Sequence, residues 1–132
     1  MIAIDTNIIV RTIVDDDAAQ VARAKVLLAQ GNLFVSTTVL LETEWVLRAL
    51  YGLSRPKLAD VLERFCGLDG INVDDAEQVG RALIAYRAGA DFADIMHVLE
   101  CESAGISLFA TFDAGMRKEL RGLSKSVTIV AP

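Results

Sequence analysis

Apolar residues return along this chain in two rhythms. Short unbroken runs occupy Ile2 to Ile4, Leu33 to Val35, a weaker Gly70-Ile71-Asn72-Val73, Leu108 to Thr111 and Val127 to Val130. Runs of this length, closed by polar or turn residues, predict strands. Between them the apolar positions recur every third or fourth residue, which predicts helices. Asp17, with Gln20 three residues later, opens a helix over 18–30 that Gly31 closes. Ser36, Thr37 and Thr38 offer caps for a helix over 39–51, ending at Gly52. Ser54-Arg55-Pro56 starts another that runs to Cys66, with Gly67 beyond. Asp74 with Glu77 opens a helix reaching Arg87, Asp91 caps one over 92–103, and Asp113 caps a short one over 114–120.

Strands alternating with helices predict βα units and a mainly parallel sheet. Helix pairs, rather than single helices, fill the intervals between the second and third strands and between the third and fourth. Ligands of such sheets bind at the carboxyl ends of the strands. Asp5 directly follows the first run, and Asp113 follows Leu108 to Thr111 with only Phe112 between.

Length and composition narrow this picture without redirecting it. A chain of 132 residues with 53% apolar content is expected to form one domain with its own core. A chain this size buries roughly 68% of its unfolded surface, so neither disulfide nor structural metal is needed. Cys66 and Cys101 lie far apart within helical patterns, and no Cys/His cluster exists, which argues against zinc. The start has no basic region followed by a long apolar stretch, so neither a signal peptide nor a membrane span is expected, and the location expected is cytoplasmic. The net charge of −5 argues against a general nucleic-acid coat protein. It does not exclude a nuclease, because a divalent ion offsets clustered carboxylates.

Four acids carry the candidate chemistry: Asp5, Glu42, Asp94 and Asp113. Two end strands and two belong to helices. On a helical wheel, Glu42 shares its face with Val46, Ala49, Leu50 and Leu53, so it is expected at the top of a core-facing stripe. Burial of an unpaired carboxylate is costly, so a cation is expected there. Glu44, four residues before Arg48, is expected to be a solvated ion pair. At the next helix start, Asp91 suffices as the cap, which leaves Asp94 for another role. His97, three residues on, is weighed as a ligand or base and set below a structural role. If the four acids converge, they offer an oxygen-only metal site.

The residues Ile4-Asp5-Thr6-Asn7, Val39-Leu40-Leu41-Glu42 leading to Trp45-Val46-Leu47, Asp91-Phe92-Ala93-Asp94 and Thr111-Phe112-Asp113 resemble the PIN domain. More narrowly, they resemble the VapC-type toxins of bacterial toxin–antitoxin pairs. The resemblance spans positions 5 to 113. It implies a three-layer α/β/α fold with a five-stranded parallel sheet, formed by residues 1–132 as a single PIN domain. It also implies that Asp5, Glu42, Asp94 and Asp113 are the catalytic, metal-binding acids of an endoribonuclease, with Asn7 and Thr111 as supporting polar residues. No further acid follows among Ala114, Gly115 and Met116, so a pattern with an additional carboxylate there is not met. A homodimer formed through helices, with the stretches around Trp45 and Leu62 as candidates, and a VapB-like antitoxin are the implied partners, beside tRNA or ribosomal RNA as substrate.

Oxygen ligands favour Mg²⁺ or Mn²⁺ over zinc. Arg11, Arg48, Arg55, Lys57 and Arg87 are candidate contacts to RNA phosphates. Three competing readings remain: a housekeeping RNA-processing PIN nuclease, a phosphatase with Asp5 as nucleophile, and a non-catalytic α/β binding module. The phosphatase is disfavoured because the position two residues on, where those enzymes carry a second acid, holds Asn7.

Overall fold

The computed structural model describes residues 1–132 and contains five strands and seven helices. In chain order these are β1 (Ile2–Ala3), α1 (Thr6–Ile13), α2 (Ala18–Gln30), β2 (Leu33–Val35), α3 (Thr37–Ala49), α4 (Arg55–Cys66) and β3 (Ile71–Val73). They continue as α5 (Ala76–Arg87), α6 (Phe92–Ser103), β4 (Leu108–Ala110), α7 (Ala114–Glu119) and β5 (Thr128–Val130). The expected helix pairs are present, α3 with α4 and α5 with α6. The backbone condenses into two compact units, Met1–Val79 and Gly80–Pro132.

In the first unit β1, β2 and β3 form a parallel sheet in that order, with Ile2 opposite Leu33 and Leu33 opposite Ile71. In the second, β4 and β5 pair in parallel, Leu108 opposite Thr128. The expected single five-stranded sheet is therefore replaced by sheets of three and two strands. Hydropathy predicts where strands lie but not which edges pair, and β1, only two residues long, engages β2 alone.

Local chemistry accounts for the helix boundaries. Side-chain oxygens of Asp17, Ser36, Ser54 and Asp91 accept from the backbone N–H three residues on, at 3.0–3.4 Å. The α5 cap differs from the expectation. Asp75 accepts from Gln78 N at 3.0 Å, while Asp74 takes a long contact of 3.5 Å from the Thr37 hydroxyl. The capping-box spacing from Asp74 to Glu77 was thus one residue out of register. Helix α1, which the hydropathy pattern did not delineate, is capped by Asp5. A close backbone approach sets the α2–β3 corner. Gly70, at φ +84°, lies so near Gly31 that an added Cβ would meet its Cα at 2.8 Å.

Helix α1 packs on α2 and α3, α3 on α4, and α4 on β3. Ile9, Leu33, Val35, Leu40, Leu47, Leu58 and Leu62 are fully buried within this unit. Leu62 is therefore a core residue and not a candidate for a subunit contact. In the second unit the buried set includes Phe92, Ile95, Met96, Leu99 and Tyr86, whose ring meets Phe92 edge-on at 5.4 Å. Arg81 clamps Glu102 and also donates from Nη2 to the Leu123 carbonyl at 3.0 Å, tying α5, α6 and the chain after α7 together. No helix is long and apolar enough to cross a membrane.

Candidate active site

The acid that ends β1 is held by the helix it starts. Asp5 Oδ1 accepts from Ile8 N at 3.2 Å, and the carboxylate is otherwise exposed. A carboxylate has about four acceptor positions, so capping leaves most of it available. Asp5 and Asn7 line a cleft of about 660 Å³, together with Arg11 from α1 and Gln20, Arg23 and Gln30 from α2. The adjacent Thr6 hydroxyl is buried without a hydrogen-bond partner.

Asp113 repeats the design in the second unit. Its Oδ1 accepts from Met116 N at 3.0 Å, and its own N–H donates to Thr111 Oγ1 at 3.0 Å. Thr111 is fixed in turn, its N–H donating to the Val130 carbonyl at 2.9 Å and its carbonyl accepting from Arg117 Nη1 at 2.7 Å. Thr111 thus supports Asp113 through the backbone. The Arg117 clamp had no signal in the chain, because an arginine four residues after the acid looks like an ordinary end-of-helix cation.

Asp94 sits in the first turn of α6, its backbone N–H donating to the Asp91 cap at 3.0 Å. Partial burial raises its pKa above the usual aspartate value, and the charges of Asp91, Asp113 and Glu119 add to the effect. The structure therefore brings Asp94 and Asp113 within electrostatic reach of each other. The His97 ring stacks on Phe109, with centroids 6.2 Å apart and planes inclined by 12°, in keeping with a structural role.

Glu42 does not lie on a core-facing stripe. Glu42 is exposed, and the core face of α3 is Leu40, Thr43, Glu44 and Leu47. The expected stripe ran off the helix, since α3 ends at Ala49, Leu50 is 67% exposed and Leu53 lies beyond the helical residues. Glu44 is 5% exposed, with Arg48 Nε donating to it at 2.8 Å. The pair was foreseen but its burial was not, because a neutralised carboxylate occupies a core position that hydropathy assigns to apolar residues. Glu42 keeps its candidacy as an accessible carboxylate and not as a buried charge.

No group of three or more His, Cys, Asp or Glu side chains is assembled closely enough to hold a metal ion. Asp94 and Asp113 nevertheless fit such an ion by donor chemistry. They are oxygen donors whose mutual repulsion a hard divalent cation would relieve. Arg48 is engaged by Glu44, and Arg11, paired with Asp16 at 2.9 Å, lines the Asp5 cleft. Arg23 and Gln30 line the cleft without any signal in the sequence that marks them for it. With Gln20 and Leu27 they form one face of α2 at spacings of three and four residues, but three polar side chains share it with one apolar one and no single pattern stands out.

Parallel βα units that carry carboxylates just past their strand ends define an α/β protein with an acidic candidate site. Residues 2–119 match the PIN domain, and the chain belongs to that family. PIN domains are generally metal-dependent nucleases, so hydrolase chemistry follows at that coarse level. No curated protein matches the chain.

Proposed function

We propose that this chain acts as a single PIN domain and is an Mg²⁺- or Mn²⁺-dependent endoribonuclease, the cytoplasmic toxin of a type II toxin–antitoxin pair. The family match over residues 2–119 carries the reading, and the repulsion of Asp94 by Asp113 supports it. Asp5, Glu42, Asp94 and Asp113 are the acids that would hold the metal, and Asn7 and Thr111 would support them. A bound divalent ion would supply charge to offset the scissile phosphate and would favour deprotonation of a water nucleophile. Water then adds to phosphorus as the bond to the 3′ oxygen breaks, leaving a 3′-hydroxyl and a 5′-phosphate. In this scheme the caps at Asp5 and Asp113 hold each carboxylate in one orientation, and Thr111 keeps the Asp113 backbone from swinging.

The substrate is tRNA or ribosomal RNA. A free intracellular ribonuclease harms its host, so a small antitoxin is the partner, offering a basic residue to the carboxylates. A homodimer formed through α3 is supported by Trp45 and Leu50, which are 51% and 67% exposed. RNA 5′ ends sequenced from cells after brief induction should show new 5′-phosphate termini that the Asp5→Asn variant lacks. Induction alone should stop growth, and co-expression of the adjacent small open reading frame should restore it. Normal growth with intact RNA on strong induction of metal-replete protein would refute the toxin assignment.

A further inference from the structure

The cleft between α1 and α2 carries more than a metal-binding acid needs. Its lining holds two guanidiniums, Arg11 and Arg23, beside the carboxylate of Asp5; Arg11 is paired with Asp16, which leaves Arg23 as the cation of the cleft without a carboxylate against it. Val26 and Leu27 add apolar surface, and Val26 is 61% exposed.

Arg11 is fixed before any ligand arrives. Its Nε donates to Gln20 Oε1 at 2.6 Å, and its Nη1 donates to Asp16 Oδ1 at 2.9 Å and to the Tyr51 hydroxyl at 3.1 Å. Tyr51 in turn donates to Asp16 Oδ2 at 2.9 Å, closing the ring of contacts. These bonds use Nε and Nη1 and leave the Nη2 edge for an anion. A guanidinium held this way binds without first losing side-chain freedom.

We infer that this cleft is a nucleotide subsite of the RNA strand, with Arg11 and Arg23 on a backbone phosphate and the base lying over Val26 and Leu27. The inference rests on the nuclease reading and extends it to substrate positioning. Arg11 follows Asp5 by six residues, about 9 Å along the helix axis, so the strand that presents a phosphate at Asp5 reaches Arg11 with its next nucleotide. A glutamate-rich peptide would also satisfy two arginines. The nucleotide is favoured because the apolar surface lies beside the cations, matching a base joined to its phosphate, and because Asp5 shares the cleft.

The test is steady-state cleavage of a labelled single-stranded RNA in Mg²⁺ by the full chain and by Arg23→Gln, Arg11→Met and Lys25→Gln. Lys25 is exposed on α2 but does not line the cleft. Arg23→Gln and Arg11→Met should each raise KM about ten-fold with kcat little changed. Each should also flatten the salt dependence of log kcat/KM by about 0.7, so that going from 50 to 200 mM salt costs roughly 2.6-fold less activity than in the parent. Lys25→Gln should match the parent. Arg23 is exposed, so its variant remains informative even if Arg11→Met disturbs the fold. Active parent protein with unchanged KM and slope in Arg23→Gln overturns the subsite alone, whereas a parent that cleaves no RNA overturns the nuclease reading beneath it. Loss of glutamate-rich peptide binding in Arg23→Gln, with RNA KM unaltered, would make the cleft a peptide site and overturn the nucleotide assignment.

Discussion

Glu42 and Glu44 are two residues apart on α3, yet their substitution by glutamine should separate activity from stability. Glu44 is 5% exposed and accepts from Arg48 at 2.8 Å from Nε and 3.5 Å from Nη2, while the Arg48 side chain is 48% exposed. Breaking a fully buried pair costs about 3–5 kcal/mol, and breaking an exposed one costs less than about 1 kcal/mol. With one partner buried and the other half in water, and with glutamine still able to accept one bond, Glu44→Gln should cost about 1–2 kcal/mol. Unfolding entropy of about 2.1 cal/mol/K per residue makes each kcal/mol worth about 3.6 °C in a chain of this size, so Tm should fall by about 4–7 °C. Glu42 is exposed, and its replacement should change stability by less than about 0.5 kcal/mol. Thermal melts followed by circular dichroism, run beside an RNA-cleavage assay on the same preparations, measure both effects. The expected result is Glu44→Gln less stable but active in its folded fraction, and Glu42→Gln fully stable but inactive. An unchanged Tm in Glu44→Gln would refute the burial argument. Full cleavage by Glu42→Gln would remove that residue from the site.

Mg²⁺ or Mn²⁺ added to chelated protein should raise Tm with concentration, by mass action on the folded state. Asp5→Asn and Asp113→Asn should lose that response while keeping their helices, since asparagine caps as well as aspartate. Glu102 is held down to about 2 by its hydrogen bond to Arg81, helped by one from Ser124. Its contribution is therefore complete above its ordinary value of 4.5 and is lost as the pH falls from there toward 2. Arg81→Met should flatten that part of an acid-unfolding curve, and an unaltered curve would show that the pair does not govern it. Asp94 has the opposite sign. Its raised pKa means that metal-free protein loses stability as the pH climbs past the ordinary aspartate value, and Asp94→Asn should abolish that slope in chemical denaturation. Burial pushes the Cys66 thiol up to about 11, so it should react only slowly with a thiol reagent at neutral pH.

Much of this protein is determined by local rules that a sequence displays. The helices α2 and α6 have the limits that their caps predict, because an aspartate at the N-cap and a break in apolar spacing act over a few residues. The positions of Asp5 and Asp113 just past strand ends were legible for the same reason. Tertiary structure decided what depends on distant partners. Sheet connectivity was one such feature, because two- and three-residue strands carry no code for which edge they join. The depth of Glu44 was another, because ion pairing with Arg48 lets a charged residue occupy a core position that hydropathy reserves for apolar ones. The Arg11 network likewise needed Asp16, Gln20 and Tyr51 brought together across up to 40 residues of chain. Local periodicity is blind to such contacts because their free energy comes from desolvation and geometry that arise only once the units have folded.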